Sequence, residues 1–368
     1  MKIVFRADSS LQIGTGHIMR CLTLAEELRS RGCECHFICR AHQGNVSEFV
    51  RARGFAVHEL ACELQLHQAA MADEPVHSNW LGASQEQDAH ACCVIAEKLK
   101  PDWLVVDHYA LDARWECMVR PACGRLLVID DLADRSHACD LLVDQNLGRQ
   151  ASDYAHLITQ PCRMLIGPDY ALLRPEFASH RDASLLGRKA RSPARMLITM
   201  GGVDQPNATG KVLQALRASA LGDWWRLTVI MGANAPWIAS VTALAAQMPW
   251  QTDVVVNVRD MAQRMTGCDL VIGAAGSTAW ERCCLGVPTL LVVLADNQRA
   301  GAYALADAGA VGLVGEIDDI PTGVPMQLKN VLSGRALEQM AFSAARLVDG
   351  KGAARVVDEL GRCLTDEP

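Results

Sequence analysis

No apolar run in this sequence is long enough to cross a bilayer. The longest, such as Val287 to Ala295, fall well short of the roughly 20 residues that a spanning helix needs. The amino terminus goes straight into a strand pattern without the hydrophobic stretch of a signal peptide, so the expectation is a cytoplasmic protein with no stable membrane insertion. A Cys-x-x-Cys pair is also missing, although there are 15 cysteines, and their spacings build no repeated framework. In the tightest cluster, Cys33, Cys35 and Cys39 share one face of a strand while His36 points to the other. That pattern suits small buried hydrophobes better than zinc ligands. Long basic runs are absent, and Lys plus Arg (35) against Asp plus Glu (42) gives a net charge of −7. That balance argues against nucleic acid or an anionic membrane as the main partner, and any anion site must be local. Gly-x-Gly-x-x-Gly is not completed, because position 19 is Met, and no acid closes the second strand, so a dinucleotide fingerprint fails. Asp130-Asp131 and Asp318-Asp319 lack the spacing of a divalent-metal motif; neither a metal nor another cofactor is expected. Finally, none of the 11 histidines lies beyond position 180, so an imidazole base must come from the first half.

What is present is an alternation of strands and helices, repeated. With 368 residues and 50% hydrophobic content the chain can fill two cores. Strand patterns occur at residues 3–6, 34–39, 56–59, 103–107, 125–129 and 141–143, and again at 195–200, 227–231, 253–256, 270–272 and 289–293. Helical patterns fall at 208–219, 236–247, 279–285 and 299–308. The expected fold is α/β, with two Rossmann-like, doubly wound domains facing across a cleft. The expected boundaries are an N-terminal domain over 1–170, a linker over 171–194 that includes a stretch rich in Arg, Lys and Ser, a C-terminal domain over 195–345 and a final helix over 346–368. The polar segment 65–87 is long for a connection, and reads either as a binding loop or as a surface excursion.

The most informative stretch runs from Arg6 to Arg20. It places Gly14, Gly16 and His17 on the loop leaving the first strand, at the edge where open α/β sheets bind ligands. Glycine there lets backbone approach a substrate, and His17 adds a group that takes protons near neutral pH. The bland alternative is a glycine-rich turn whose histidine caps a helix. Asp8, Ser9, Ser10 and Arg20 flank it with more polar groups than such a turn requires.

The second half offers two glycine-bearing turns after strands. One is Gly201-Gly202-Val203-Asp204 with Asn207; the other is Gly273 to Thr278, leading into Glu281. Free amides and the helix dipole favour phosphate oxygens at such turns, although Ser or Thr capping an ordinary turn gives the same pattern. Glu281 is placed to accept hydrogen bonds from two ribose hydroxyls, or is a solvent-facing acid that complements the helix dipole, and Asp296-Asn297-Gln298 follows the next strand. Together these read as a nucleoside-diphosphate pocket.

At this point the chain resembles the GT-B glycosyltransferases. Asn257 to Ala262, the Gly273–Glu281 turn and Gln298 look like the peptidoglycan N-acetylglucosaminyl transferases. Arg6-x-Asp8-x-Ser10-x-x-Ile13-Gly14-x-Gly16-His17-x-x-Arg20, Asp107-His108-Tyr109, Asp130-Asp131-Leu132, Tyr170 to Arg174 and Gly201-Gly202-x-Asp204-x-x-Asn207 are similar to the UDP-sugar hydrolases of pseudaminic acid biosynthesis. That resemblance implies inverting hydrolysis of a UDP-linked 2,4-diacetamido-2,4,6-trideoxy sugar. It assigns His17 as the base that activates water, with His108 as its rival. Tyr109 and Asn297 become sugar or phosphate contacts, Arg174 a positive group near substrate, and Gly276, Ser277, Thr278 and Glu281 the UDP cradle. Arg20, Gly201, Gly202, Gln298 and the backbone near Val258 complete the expected substrate site, and Asp8 is expected either to orient His17 or a substrate hydroxyl or, as a strand-end residue, to bond the loop backbone. The partner is then a UDP-sugar, with the oligomeric state open. A glycosyltransferase of the same fold and a non-catalytic nucleotide-sugar binder are the competing expectations.

Overall fold

The structure, a computed structural model, describes residues 1–62, 74–188 and 194–365. The chain divides into two compact units, Met1–Leu172 with Gly352–Pro368, and Leu173–Lys351.

In the first unit seven parallel strands form one sheet: β1 (Lys2–Ala7), β2 (Glu34–Arg40), β3 (Ala56–Leu60), β4 (Trp103–Asp107), β5 (Arg125–Ile129), β6 (Leu141–Asp144) and β7 (Arg163–Ile166). Their order is β3-β2-β1-β4-β5-β6-β7. The chain reverses direction across the sheet between β1 and β4, which pair from Ile3 with Trp103 to Ala7 with Asp107. That switch point opens a crevice at the carboxyl ends of the two strands. Ile3–Phe5 of β1 and Trp103–Val106 of β4 are apolar runs because helices cover both faces of a parallel sheet. One face packs Phe5, Phe37 and Val105 against Ile18, Leu22 and Leu28 of the helix Gly16–Ser30. The other packs Val4, Ile38 and Val106 with Trp115 and Tyr154.

The second unit repeats the plan with six strands: β8 (Arg195–Thr199), β9 (Arg226–Met231), β10 (Gln251–Val256), β11 (Leu270–Ala274), β12 (Thr289–Val293) and β13 (Gly312–Glu316). The order β10-β9-β8-β11-β12-β13 places its switch point between β8 and β11. The turns after β8, β10, β11 and β12 therefore share the carboxyl edge of this sheet.

Two boundaries differ from the sequence expectation. The helix Gly352–Thr365 does not stand apart but docks on the first unit: Ala353, Val356, Val357 and Leu360 recur at helical spacing and enter the same core as Ile18 and Leu22. A Cβ at Gly352 would lie 2.3 Å from the Ala171 carbonyl oxygen, so glycine permits the approach. Residues 175–188, expected as linker, form a helix belonging to the second unit. Its basic side chains are structural: Arg181 donates to the Ala345 and Val348 carbonyls, and Arg188 to those of Cys268 and Met265. Of the 65–87 segment, residues 65–73 lie outside the described residues. The remainder holds a 3₁₀ turn at Ser78–Trp80 and a helix Gln85–Leu99 begun by a Ser84–Gln87 capping box.

Candidate active site

Loop geometry at the end of β1 follows from its sequence. The Ser10 hydroxyl accepts from the Gln12 and Ile13 amides, and Gly14 donates back to the Ser10 carbonyl at 2.9 Å, closing a tight loop. Gly14 has φ +78°, a conformation costly for other residues. A Cβ on Gly16 would meet nothing, so no steric demand of the protein explains that glycine. The helix that follows presents His17 in its first turn and Arg20 one turn on, both buried.

These two side chains converge on Asp107, the last residue of β4. His17 Nδ1 lies 2.5 Å from Asp107 Oδ1; Arg20 Nε and Nη2 donate to Asp107 Oδ2 and Oδ1, both at 2.6 Å. Burial alone would push the Asp107 carboxyl up, but Arg20 and His17 override it and hold it well below the usual carboxylate range. An ionised Asp107 can only accept, so Nδ1 carries a hydrogen, and in the neutral imidazole the lone pair is on Nε2. Arg20 also donates from Nη1 to Asp131 Oδ2 at 2.7 Å, and the Tyr109 hydroxyl donates to Asp131 Oδ1 at 2.6 Å. His17 and Tyr109 meet edge to face at 4.5 Å between centroids. Beyond Tyr109 stand His77, at 5.5 Å, and Trp80, at 5.8 Å, with 4.4 Å between them, forming an aromatic wall beside the imidazole.

The rival base is differently placed. His108 is buried, its Nδ1 accepts from the Ala110 amide at 3.1 Å and its Nε2 faces Asp8 Oδ2 at 3.2 Å. Burial lowers its pKa, and neither nitrogen is open to substrate. Asp8 is likewise committed to the interior. It takes two hydrogen bonds from fully buried Arg6, at 2.6 and 2.8 Å, and one from the Arg40 amide at 2.7 Å. It does not reach His17: the orienting role expected of Asp8 falls to Asp107, and Asp8 ties β1 to β2 and, through Arg6 and Asp88, to the helix Gln85–Leu99. Arg20, expected to touch substrate, has every guanidinium nitrogen spent on this network.

In the second unit the glycine turns fall where the sequence puts them. Gly201 has φ +89° and open space at its Cβ position, and Gly202 is approached by Gly232, whose added Cβ would lie 1.9 Å from the Gly202 carbonyl oxygen. Asp204 receives the Ala208 and Thr209 amides and Asn207 caps Gly210, so these two polar residues fix the turn. Val258 follows Asn257, held at φ +56°, after β10. Gly276 sits 3.8 Å from Gln298 Nε2 at the Cβ position, bringing the turns after β11 and β12 together. Gln298 Oε1 accepts from the Leu294 amide, and Asn297 is exposed. Ser277 is exposed and makes no side-chain cap, while the Thr278 hydroxyl accepts from Arg282. Glu281 lies 3.6 Å from Arg174, which also pairs with Glu176 at 3.1 Å. Burial pushes the Glu281 carboxyl up to about 7.

Two Rossmann-like units, each with its ligand edge at a switch point, give an α/β protein with a GT-B fold. Residues 214–359 match the model of the glycosyltransferase family 28 C-terminal domain. The chain is similar to the UDP-2,4-diacetamido-2,4,6-trideoxy-beta-L-altropyranose hydrolase of Campylobacter jejuni, with 24% identity over 309 residues, covering 84% of this chain and 97% of that protein. It is also 24% identical over 304 residues to an uncharacterized protein of Methanocaldococcus jannaschii, covering 81% of this chain but 57% of that longer relative. Among solved structures, MurG of Acinetobacter baumannii superposes with a TM-score of 0.71 at 17% identity, over 98% of this chain and 100% of that one.

Proposed function

We propose that this protein hydrolyses a UDP-linked, 2,4-diacetamido-2,4,6-trideoxy sugar at its anomeric carbon, releasing UDP and the free sugar with inversion. The observation that carries this reading is the His17–Asp107 pair: a base with its tautomer fixed, its Nε2 bonded to none of the described residues, on the ligand edge of the sheet. The C. jejuni relative bears the name of this hydrolase, and its similarity runs nearly the length of both chains.

In this mechanism His17 Nε2 accepts a proton from water as the water oxygen attacks C1. The bond from C1 to the phosphate oxygen breaks with its electron pair going to UDP. Asp107 stays ionised and stabilises the imidazolium, while Arg20 and Asp131 keep Asp107 and Tyr109 in place. The second unit holds uridine diphosphate through the turns at Gly201-Gly202, Val258, Gly276–Thr278 and Asn297-Gln298, with Glu281 on the ribose. The aromatic wall of His77, Trp80 and Tyr109 receives the less polar side of a deoxy sugar. No metal is needed in this scheme, because backbone amides at the turns of the second unit take up the diphosphate charge.

A second reading, transfer of the sugar to an acceptor, is favoured by the family 28 match over residues 214–359. Incubation with the UDP-sugar alone in H₂¹⁸O separates the two. Hydrolysis gives stoichiometric free sugar carrying the label at C1. Little free sugar indicates a transferase, and label in the UDP overturns attack at carbon.

A further inference from the structure

Five arginines of the described chain are buried, and four of them face carboxylates. Arg6 pairs with Asp8 and Asp88, Arg20 with Asp107 and Asp131, Arg40 with Asp88, and Arg135 with Asp130. The fifth is Arg282, 1% exposed in the second unit. No carboxylate among the described residues lies within ion-pair distance of it; its chain neighbour Glu281 contacts Arg174 and reaches Arg282 only through its field. Arg282 Nη2 donates to the Ala274 carbonyl at 2.7 Å and Nη1 to the Thr278 hydroxyl at 3.1 Å, while Nε has no partner among the described residues. Burial pulls its pKa down to about 10, whereas Arg6, Arg20 and Arg135 are raised by their partners.

The fold makes room for this isolated cation. A Cβ at Gly273 would lie 2.7 Å from Arg282 Nη1, so the bare strand end lets the guanidinium lie against the inner side of the Gly273–Thr278 turn. A buried charge with no carboxylate in direct contact is costly, and a neutral side chain would be cheaper unless something anionic binds nearby. Its two hydrogen bonds go to both ends of the turn, leaving the turn's own amides and the field of the cation directed at whatever the turn holds.

We infer that Arg282 is a positioning residue whose charge, lying behind the Gly273–Thr278 turn, is completed by the diphosphate of the bound nucleotide. The inference rests on the reading that this unit binds UDP. It assigns to one side chain the part of the affinity that comes from phosphate, not from uridine.

The test compares binding of UDP and of uridine by calorimetry to the full-length wild type, R282Q and R282K. R282Q keeps a donor for the Ala274 carbonyl but loses the charge. The expected result is uridine affinity within about twofold of wild type and UDP affinity at least about tenfold weaker, with R282K recovering most of the loss. A purely structural arginine would weaken both ligands in parallel and would not be rescued by lysine. Should R282Q fail to fold, G273A serves in its place, since its methyl displaces the guanidinium and is expected to cut the same preference for UDP over uridine. An unchanged ratio of UDP to uridine affinity in these variants overturns the role of Arg282 while leaving UDP binding intact. A wild type that binds no UDP overturns the functional reading, and this inference with it.

Discussion

His17 and Asp107 are 90 residues apart in sequence, yet the imidazole Nδ1 lies 2.5 Å from the carboxylate. β1 and β4 are adjacent strands, and each delivers its functional group at the same carboxyl end, His17 through the loop and helix start after β1, Asp107 as the final residue of β4. The pair is thus a product of the strand-order reversal, and its geometry is locked by Arg20 from one turn further along the same helix.

D107N is the direct test of that relationship. An asparagine amide at this position can turn its NH₂ toward Nδ1, which favours the tautomer that protonates Nε2 and removes the base. The expected loss in kcat is about 10²–10⁴-fold with KM little changed. Arg20 would also lose a buried partner, at a cost of about 3–5 kcal/mol, so melting temperature is measured alongside. A folded D107N with undiminished kcat would remove His17 as the base.

The aromatic wall makes a separate prediction. Trp80 touches neither His17 nor Asp107 among the contacts described, so W80A is expected to raise KM for the deoxy sugar nucleotide by about tenfold and change kcat by less than about threefold, the pattern of lost uniform binding. Steady-state kinetics on W80A and H77A check it. An equal fall in kcat with KM unchanged would place these rings in the transition state instead.

The strand alternation, both doubly wound rhythms and the glycine turns could be read in the chain because they depend on local periodicity and on φ-permissive residues. His17 stood out for the same reason. Asp107 did not, although an acid closing the apolar run Trp103–Val106 is a usable signal once β4 is set beside β1. His77 and Trp80 were hidden in a polar segment whose composition says loop and nothing about which ring it turns toward Tyr109. β7 and β13 escaped notice because one is four residues long and the other carries two glycines, leaving too little pattern. Asp8 stayed open for a physical reason: an acid beside a catalytic loop and an acid neutralising a buried arginine two residues away have the same local sequence. Only the fold shows that Arg6 claims it.

Glu281 gives a pH dependence whose sign is fixed. Its carboxyl, pushed up to about 7 by burial, is mostly protonated at pH 6 and mostly ionised at pH 8. If the ionised form accepts from the ribose hydroxyls, uridine affinity rises about tenfold over that interval. Uridine is the ligand to use because it has no phosphate titrating in the same range. E281Q is expected to flatten the profile and bind weakly throughout. An affinity that falls with pH, or a profile unchanged in E281Q, would remove Glu281 from the ribose.

A last prediction concerns stability near the active site. The Tyr154 hydroxyl lies 2.9 Å from both Asp130 Oδ2 and Asp144 Oδ2, yet has one hydrogen to give. Arg135 and His137 override the burial of Asp130 and keep its carboxyl low, so Tyr154 donates there. Asp144 is pushed up to about 6 by burial despite Arg149 Nε, which donates to its Oδ2 at 3.0 Å, and its own proton fills the gap toward the Tyr154 oxygen. A carboxyl whose folded pKa lies above its unfolded value stabilises the fold when protonated. Its contribution is therefore full below about pH 4 and is lost as pH rises through about 6, a change of about 3 kcal/mol at most. Asp107 and Asp130, held low, contribute in the opposite sense and at lower pH, so the difference between wild type and D144N isolates the effect. Asparagine can donate to Tyr154 at any pH. Urea midpoints are expected to show D144N gaining on wild type between pH 4.5 and 7, and parallel midpoints across that interval would mean that Asp144 carries no proton in the folded protein.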